Sequence, residues 1–458
     1  MSAMSVLVPL RSARVLMGAL ALALVGCGED PAPVPRDLVV VVLDALPASS
    51  VSSYGYERPT TPRLDALAAG GQRFAQAHTT ASYTLTSTAS LFTGMTPRGH
   101  GAVREVGHVL GEDRVTLAEA LAERGFATAA FSLNPQVSRE TGFAQGFEVF
   151  EYAPRDDFTY NQTPAGFLER VVETWEAQAG ERRFLYVHLL PPHVPYTPPP
   201  PYDELFGARA IDRSEGGQAY LRALNMEDVW LTPDDPRVER AKRRYDATLA
   251  YADAQLSALL EALGPLDDVA LVVTSDHGEA FGEHGRILHG SMASKEMIHV
   301  PLVLHGPGLE SAVREDLVRT RDLAATMCEW LDVPWDARMA SGRSFLRSPG
   351  LDPLPARGAL SRSVGTAPIW ALRTNDWTYI RATGSGREEL YDRQSDPLEQ
   401  RDLSGNPAHA LALAELATAL DTALARERDI GARFEAAKTT DAHRAELEDI
   451  GYFDNEED

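Results

Sequence analysis

Leu38-Val-Val-Val-Val-Leu43, followed at once by Asp44, is an apolar run without a polar break. A strand with one wet face alternates apolar and polar residues, so an unbroken β-branched run marks a strand buried on both faces, as in the middle of a helix-covered parallel sheet. Shorter runs recur at residues 127–131, 184–187, 269–273 and 301–304, with helical patterns between them. Two of those helices carry their own punctuation. Thr61-Pro62 supplies an N-cap and a first-turn proline ahead of Leu64, Leu67 and Ala68, with Gly70-Gly71 as the stop. Thr116-x-x-Glu119 is a capping box for a helix running through Leu121 to Gly125. The alternation predicts an α/β fold with a large mixed, mainly parallel sheet flanked by helices.

Outward from that core the pattern changes twice. Residues 205–238 lack a strong period and mix charges with Gly-Gly and Pro, which predicts a long excursion over the functional edge of the sheet, a candidate lid. From about Ser361 short strand-like pieces at 369–372, 377–381 and 388–391, separated by turn residues such as Thr383-Gly-Ser-Gly386, predict a small C-terminal antiparallel subdomain. After Gly405 the chain is rich in Ala and Leu and reads as helical, ending in the acidic tail Phe453-Asp-Asn-Glu-Glu-Asp458. The expected division is a catalytic domain over 37–355, the antiparallel subdomain over 356–404, and a helical and acidic tail over 405–458.

The first 27 residues read as a processing segment. Arg11 and Arg14 precede an apolar run over 15–25 that is too short to span a bilayer, so cleavage as a signal peptide is expected. Its end, Leu24-Val25-Gly26-Cys27, resembles a bacterial lipobox, which implies lipidation of Cys27; the alternative is an ordinary secretion signal with a stray cysteine. Residues 28–36 then form a proline-containing tether. Gly28-Glu29 lacks the Asp that would argue for inner-membrane retention, so the expectation is an exported chain, lipid-anchored in the cell envelope at the outer membrane. Cys328, the one cysteine beyond Cys27, lies in an apolar run and is expected in the core.

With 458 residues and 44% apolar composition, the chain can bury a large core. Its 43 Lys and Arg against 66 Asp and Glu give a formal charge of −23, which excludes nucleic acid as a partner on electrostatic grounds. An anionic substrate group therefore needs a local positive centre, and a bound metal would provide one.

Asp44 follows the first buried strand, and Asp276-His277-Gly278-Glu279 follows the strand at 269–273, both where α/β sheets place ligands, beyond the carboxyl ends of strands. An Asp there can equally cap a helix. Two such ends with an adjacent His point to a divalent metal; carboxylates alone suit Ca²⁺ or Mg²⁺, and an imidazole favours Zn²⁺ or Mn²⁺. Thr84 opens Thr84-Leu-Thr-Ser-Thr-Ala-Ser-Leu-Phe-Thr-Gly94, which reads as one short helix. Its hydroxyl is either a cap or a nucleophile, activated by the metal beside backbone N–H groups that bind a tetrahedral oxyanion.

Taken together, Leu43-Asp44, Tyr54-Gly-Tyr-Glu-Arg-Pro-Thr-Thr-Pro62, Thr84 to Gly94 with Pro97 and His100-Gly101, Pro192-His193-Val-Pro-Tyr196, Thr274-Ser-Asp-His-Gly-Glu279, His289-Gly290, Val300-Pro-Leu302, Glu389-Leu-Tyr-Asp392 and Ile450-Gly-Tyr452 resemble the sulfatase family of the alkaline phosphatase superfamily. The resemblance implies Asp44, Thr84, Asp276 and His277 as ligands of a divalent metal (Zn, Mn or Ca), Thr84 as the nucleophile of a covalent mechanism, and His193 and His289 as general acid or charge stabilisers facing the ester. It implies hydrolysis or transfer of phosphate or sulfate esters of small, glycan or lipid type. His188 alternates on a buried strand and is assigned to the core.

The departures carry chemistry too. Formylglycine sulfatases carry Cys or Ser followed by x-Pro-Ser-Arg, whereas this chain reads Thr84-Leu-Thr-Ser-Thr88. A secondary alcohol cannot become an aldehyde, so sulfate could not leave by elimination, whereas a phosphorylated Thr can be attacked in line by water. That favours phosphoryl over sulfuryl esters. Ala45, Ser49 and Thr88 replace residues that are acidic or basic in relatives, and Arg104 is a candidate for the missing cation by nearness in sequence to Thr84. The alternative for the whole molecule is a non-catalytic binding protein of the same fold at the cell envelope.

Overall fold

The structure is a computed structural model that describes residues 33–103, 107–153, 162–227, 229–334, 342–346, 358–434, 437–440 and 444. Cys27, Arg104, Ile450-Gly-Tyr452 and the acidic tail lie outside the described residues. In chain order the first eleven strands are β1 (Asp37–Leu43), β2 (Gln72–His78), β3 (His108–Val109), β4 (Phe126–Ser132), β5 (Val149–Tyr152), β6 (Arg182–Leu189), β7 (Val269–Thr274), β8 (Ala280–Phe281), β9 (Ile287–Leu288), β10 (Leu302–His305) and β11 (Ala312–Arg319). Eight of them form one sheet in the order β11-β2-β10-β7-β1-β6-β4-β5. β1 is central and parallel to both neighbours, with Val41 opposite Val187 and Val273. The mixed character comes from β10, which pairs antiparallel with β7 and β2.

The unbroken apolar run of β1 divides by the period of a strand. Val39, Val41 and Leu43 enter a core layer with Tyr245, Leu249 and Leu256 of the helix Pro236–Ala262. Leu38, Val40 and Val42 enter the opposite layer, with Leu85, Ala89 and Phe92, and with Cys328, which is fully buried. Successive side chains on a strand point to opposite faces, so a strand covered on both sides has no position for a polar residue.

Helix α1 (Pro62–Gly70) has the bounds its punctuation predicts, but Thr61 does not cap it with its side chain. Asp253, from the long helix, accepts the N–H groups of Arg63 (2.7 Å) and Leu64 (2.9 Å) instead. A carboxylate brought by tertiary packing satisfies both orphan donors where the Thr61 hydroxyl turns toward Asp65. The capping box at Thr116 and Glu119 forms as expected.

Residues 205–238 are not a featureless excursion. They contain 3-10 segments, the helix Gln218–Met226 and the first turn of the helix Pro236–Ala262. The segment is tied down where Tyr196 N–H donates to the Gly216 carbonyl (2.8 Å) and the Asn225 amide donates to the Ile287 carbonyl (2.6 Å). Strands β2, β5 and β11 carry mixed polar sequences that hide their period, because two of them are sheet edges and β2 lies beside an edge.

The C-terminal sheet is antiparallel, β12 (Ala359–Arg362), β13 (Ile369–Arg373), β14 (Trp377–Ala382) and β15 (Glu388–Asp392) in sequence order. Leu416, Leu420 and Leu424 of the helix Ala410–Gly431 pack with Trp370, Leu372, Tyr379 and Leu390 of that sheet. Arg373 donates to both carboxylate oxygens of Glu399, at 3.0 and 2.8 Å, with both side chains buried.

Candidate active site

Four neighbouring parallel strands, β7, β1, β6 and β4, end at one edge of the large sheet, and each delivers a polar group there. β1 ends at Asp44, β7 runs on to Asp276 and His277, β6 carries His188 near its end, and the turn after β4 brings Asn134. Ala45 takes φ +57°, an uncommon conformation for a residue with a Cβ, and from it donates its N–H to Asp276 Oδ1 (3.2 Å). The strained turn thus ties the ends of β1 and β7 together.

Asp44, Asp276 and His277 converge, each offering one ligand atom within 4.8 Å of the others, all buried. Asp44 Oδ2 is occupied, accepting from Asn134 Nδ2 (2.5 Å) and His188 Nε2 (3.0 Å). Asp276 Oδ1 is occupied by the N–H groups of Ala45 and His277. The remaining oxygens, Asp44 Oδ1 and Asp276 Oδ2, are buried without a hydrogen-bond partner. They lie 3.7 and 3.5 Å from His277 Nε2. His277 Nδ1 is 2.9 Å from the Gly278 carbonyl, which can only accept, so the proton sits on Nδ1 and Nε2 presents a lone pair. Two orphaned carboxylate oxygens and one imidazole lone pair facing one point fit a divalent cation, and the imidazole suits Zn²⁺ or Mn²⁺ better than Ca²⁺.

Helix α2 (Thr84–Thr93) brings the hydroxyl to that point. Tyr83 is the N-cap residue and Thr84 the first helical residue, so Thr84 is not the cap. Its Oγ1 lies 3.2 Å from His277 Nε2 and accepts from Asn134 Nδ2 at 3.4 Å. The Leu85 N–H, one of the helix's free donors, is taken by Gln136 Oε1 (3.2 Å), which removes it from any oxyanion site. Gly94 ends the helix at φ +67°.

Three imidazoles are layered beside this centre, with ring centroids 4.2 Å apart for His277 and His289 and 4.9 Å for His289 and His193. His193 Nδ1 contacts the Val194 carbonyl (2.7 Å), leaving Nε2 as an acceptor in the neutral ring, and burial pushes its pKa down to about 3. His289 Nδ1 faces Glu279 Oε1 at 3.0 Å, after Leu288 at φ +68°. Burial, helped by the Asp44 and Asp276 carboxylates, pushes Glu279 up to about 8.

The structure therefore brings all six residues singled out for chemistry, Asp44, Thr84, His193, Asp276, His277 and His289, into one cluster. His188 is buried on β6 as expected, and in addition it accepts from the Tyr186 hydroxyl at Nδ1 (2.9 Å) and so donates from Nε2 to Asp44. Thr88 is buried one turn below Thr84, with its hydroxyl beside that of Tyr186, and Arg104 lies outside the described residues. Sequence reasoning overlooked Asn134 and Gln136, which follow a strand end at the same sheet edge, the available signal, and it quoted Glu279 at the end of a motif without giving it a role. A separate cavity of about 770 Å³ opens between the β8–β9 segment and the C-terminal sheet, lined by Trp230, His284, Met292, Ile380 and Tyr391 among others, and it contains none of the clustered residues.

A family model described as Sulfatase matches residues 36–333. The choline-sulfatase of Rhizobium meliloti (strain 1021) is 25% identical over 248 residues, 49% of this chain and 46% of that protein, so the match spans under half of that relative's length. A structure solved in complex with its substrate D-glucosamine-2-N,6-O-disulfate superposes with a TM-score of 0.72 at 19% identity, covering 86% of this chain and 98% of that one. The phosphonate monoester hydrolase of Agrobacterium radiobacter superposes with a TM-score of 0.67 at 19% identity, covering 86% of this chain and 96% of that one.

Proposed function

The chain belongs to the sulfatase family, and from that membership we propose that it is a metal-dependent hydrolase of sulfate or phosphate-type esters acting through a covalent intermediate on Thr84. The observation that carries this reading is the approach of Thr84 Oγ1 to His277 Nε2 (3.2 Å), at the point faced by the orphaned Asp44 and Asp276 oxygens. Asp44, Asp276, His277 and Thr84 would hold the cation. When bound, a divalent cation supplies the positive charge that lowers the pKa of a hydroxyl and offsets charge on the ester oxygens.

In the first step Thr84, its proton already lost to solvent, forms a bond from Oγ1 to phosphorus or sulfur as the ester bond breaks, and the departing oxygen takes a proton from the acid residue. His289, backed by Glu279, is the proton donor; His193, neutral at pH 7, lies beside it and presents an acceptor at Nε2. In the second step a water oxygen attacks phosphorus or sulfur and gives its proton to the acid residue, the bond to Thr84 Oγ1 breaks, and Thr84 leaves as the alkoxide that began the cycle. The secondary alcohol of Thr84 cannot be oxidised to an aldehyde, so release depends on attack by water at the central atom, which phosphorus and phosphonate centres accept more readily than sulfur. Phosphodiesters and phosphonate esters are therefore the favoured class, and sulfate esters the second. The name of the Agrobacterium relative supports the first and that of the choline-sulfatase the second.

The test is a rate panel on aryl sulfate, aryl phosphate, bis-aryl phosphate and an aryl phosphonate, with Zn²⁺, Mn²⁺ and Ca²⁺ in turn. Turnover of at least one ester, restored to chelated protein by one metal and reduced about a thousandfold or more in Thr84→Ala, is expected. Full turnover in Thr84→Ala removes the covalent mechanism. No turnover and no bound metal in the purified protein would instead favour a binding role.

A further inference from the structure

We propose that Asn134 is the positioning residue of this centre, selecting which Asp44 oxygen faces the metal and holding Thr84 for attack with a neutral donor in place of a cation. The proposal rests on the reading of Asp44, Thr84, Asp276 and His277 as the reactive group. Its basis is the hydrogen bonding of the Asn134-Pro135-Gln136 turn that follows β4.

Asn134 is fixed through both its backbone and its side chain. Its backbone N–H donates to Ser132 Oγ (3.1 Å), and its Oδ1 accepts the Gln136 N–H (2.8 Å), which identifies the other end of the amide as the donor. That end, Nδ2, lies 2.5 Å from Asp44 Oδ2 and 3.4 Å from Thr84 Oγ1. With two hydrogens on one nitrogen, it can serve both residues at once. Asp44 Oδ2 is then saturated by Asn134 and His188, and Oδ1 is the oxygen left without a partner in the cluster.

The same turn grips the flanks of Thr84. Gln136 Oε1 accepts the N–H of Leu85, and Gln136 Nε2 donates to the Tyr83 hydroxyl, so the residues before and after Thr84 are both held by the turn that carries Asn134. Charge decides why an amide serves here. Two carboxylates, a neutral imidazole and a divalent cation sum to zero, and an amide adds a donor without disturbing that sum or exchanging protons with Thr84 near neutral pH. Positioning groups that hydrogen-bond a metal-ligating carboxylate tune its affinity for the metal.

The test compares the full chain with Asn134→Leu, which keeps the volume and removes the donor, and Asn134→Ala. Zn²⁺ affinity by titration calorimetry is expected to fall about 10- to 100-fold in both. On an ester that the wild type turns over, kcat is expected to fall about 100-fold with KM within about threefold, because the lost contact acts on the nucleophile and not on substrate binding. Thermal melts near the wild-type value separate this from a folding defect. A variant that melts normally and keeps wild-type kcat and Zn²⁺ affinity overturns the proposal while leaving the Thr84 mechanism standing. A wild type that binds Zn²⁺ but turns over no ester removes the Thr84 mechanism, and the calorimetry then decides on Asn134. A wild type that neither binds nor turns over removes both.

Discussion

Asp276 shows how much one side chain is asked to do. Its Oδ1 accepts two backbone N–H groups that lock the ends of β1 and β7, while its Oδ2 is left buried and partnerless. A buried acceptor without a partner costs about 1–3 kcal/mol, and such a cost persists where a ligand removes it. Asp276→Asn keeps the shape and removes the charge. Its Zn²⁺ affinity should fall by more than the roughly 10- to 100-fold typical of residues that only support a ligand, measured by calorimetry against the wild type. An unchanged affinity would place the cation elsewhere. His188 belongs to the same scale: from sequence it is a polar residue on a buried strand, and only its position 3.0 Å from Asp44 gives it a role.

Helix α2 holds its N-terminus at the site because its underside is anchored. Phe92 meets Tyr186 edge to face at 4.8 Å and Phe143 at 5.6 Å, in the layer below the sheet. Phe92→Ala should cost about 3–5 kcal/mol by denaturant unfolding and lower activity beyond what the loss of folded protein explains. The C-terminal sheet depends on a different device. Burial alone would raise the Glu399 carboxyl, but the Arg373 guanidinium and the Thr378 hydroxyl outweigh it and hold the carboxyl down to about 2. Because the folded value lies below the unfolded one, this stabilisation is complete above about pH 4.5 and is lost as pH falls toward 2. Melting temperature followed over that window should drop more steeply in the wild type than in Glu399→Gln. At neutral pH the variant should be less stable by about 3–5 kcal/mol, because Arg373 is left buried without its counter-charge. Equal slopes in the two proteins would dissociate the pair from acid stability.

For the whole molecule, the proposed lipid anchor gives the expectation with the widest consequence. Wild-type full chain should fractionate with membranes and Cys27→Ala should appear in the soluble fraction; a variant that stays with membranes would contradict lipidation at Cys27. The chain is negative overall, −23 in formal charge, and the proposed cation would supply the site's positive charge. Removal of metal by a chelator should therefore lower the melting temperature as well as activity, with both restored by the metal that binds. A chelated protein that melts unchanged would mean that the cation contributes nothing to the folded state.

The sequence by itself determined the strands buried on both faces, because a strand without wet positions has to be apolar throughout, and it determined the residues that follow those strands. Asp44, Asp276 and His277 were legible for that reason, and Thr84 because a helix start is marked locally. The order, register and direction of the strands were decided only by tertiary structure: β10 reads like a parallel strand and lies antiparallel, and the edge strands have no period to read. That Thr84 is not the helix cap, and that its hydroxyl meets His277 193 positions away, also lay beyond the sequence. Asn134, Gln136 and Asp253 act through partners far along the chain, and local pattern carries no record of hydrogen bonds that exist only when distant segments pack.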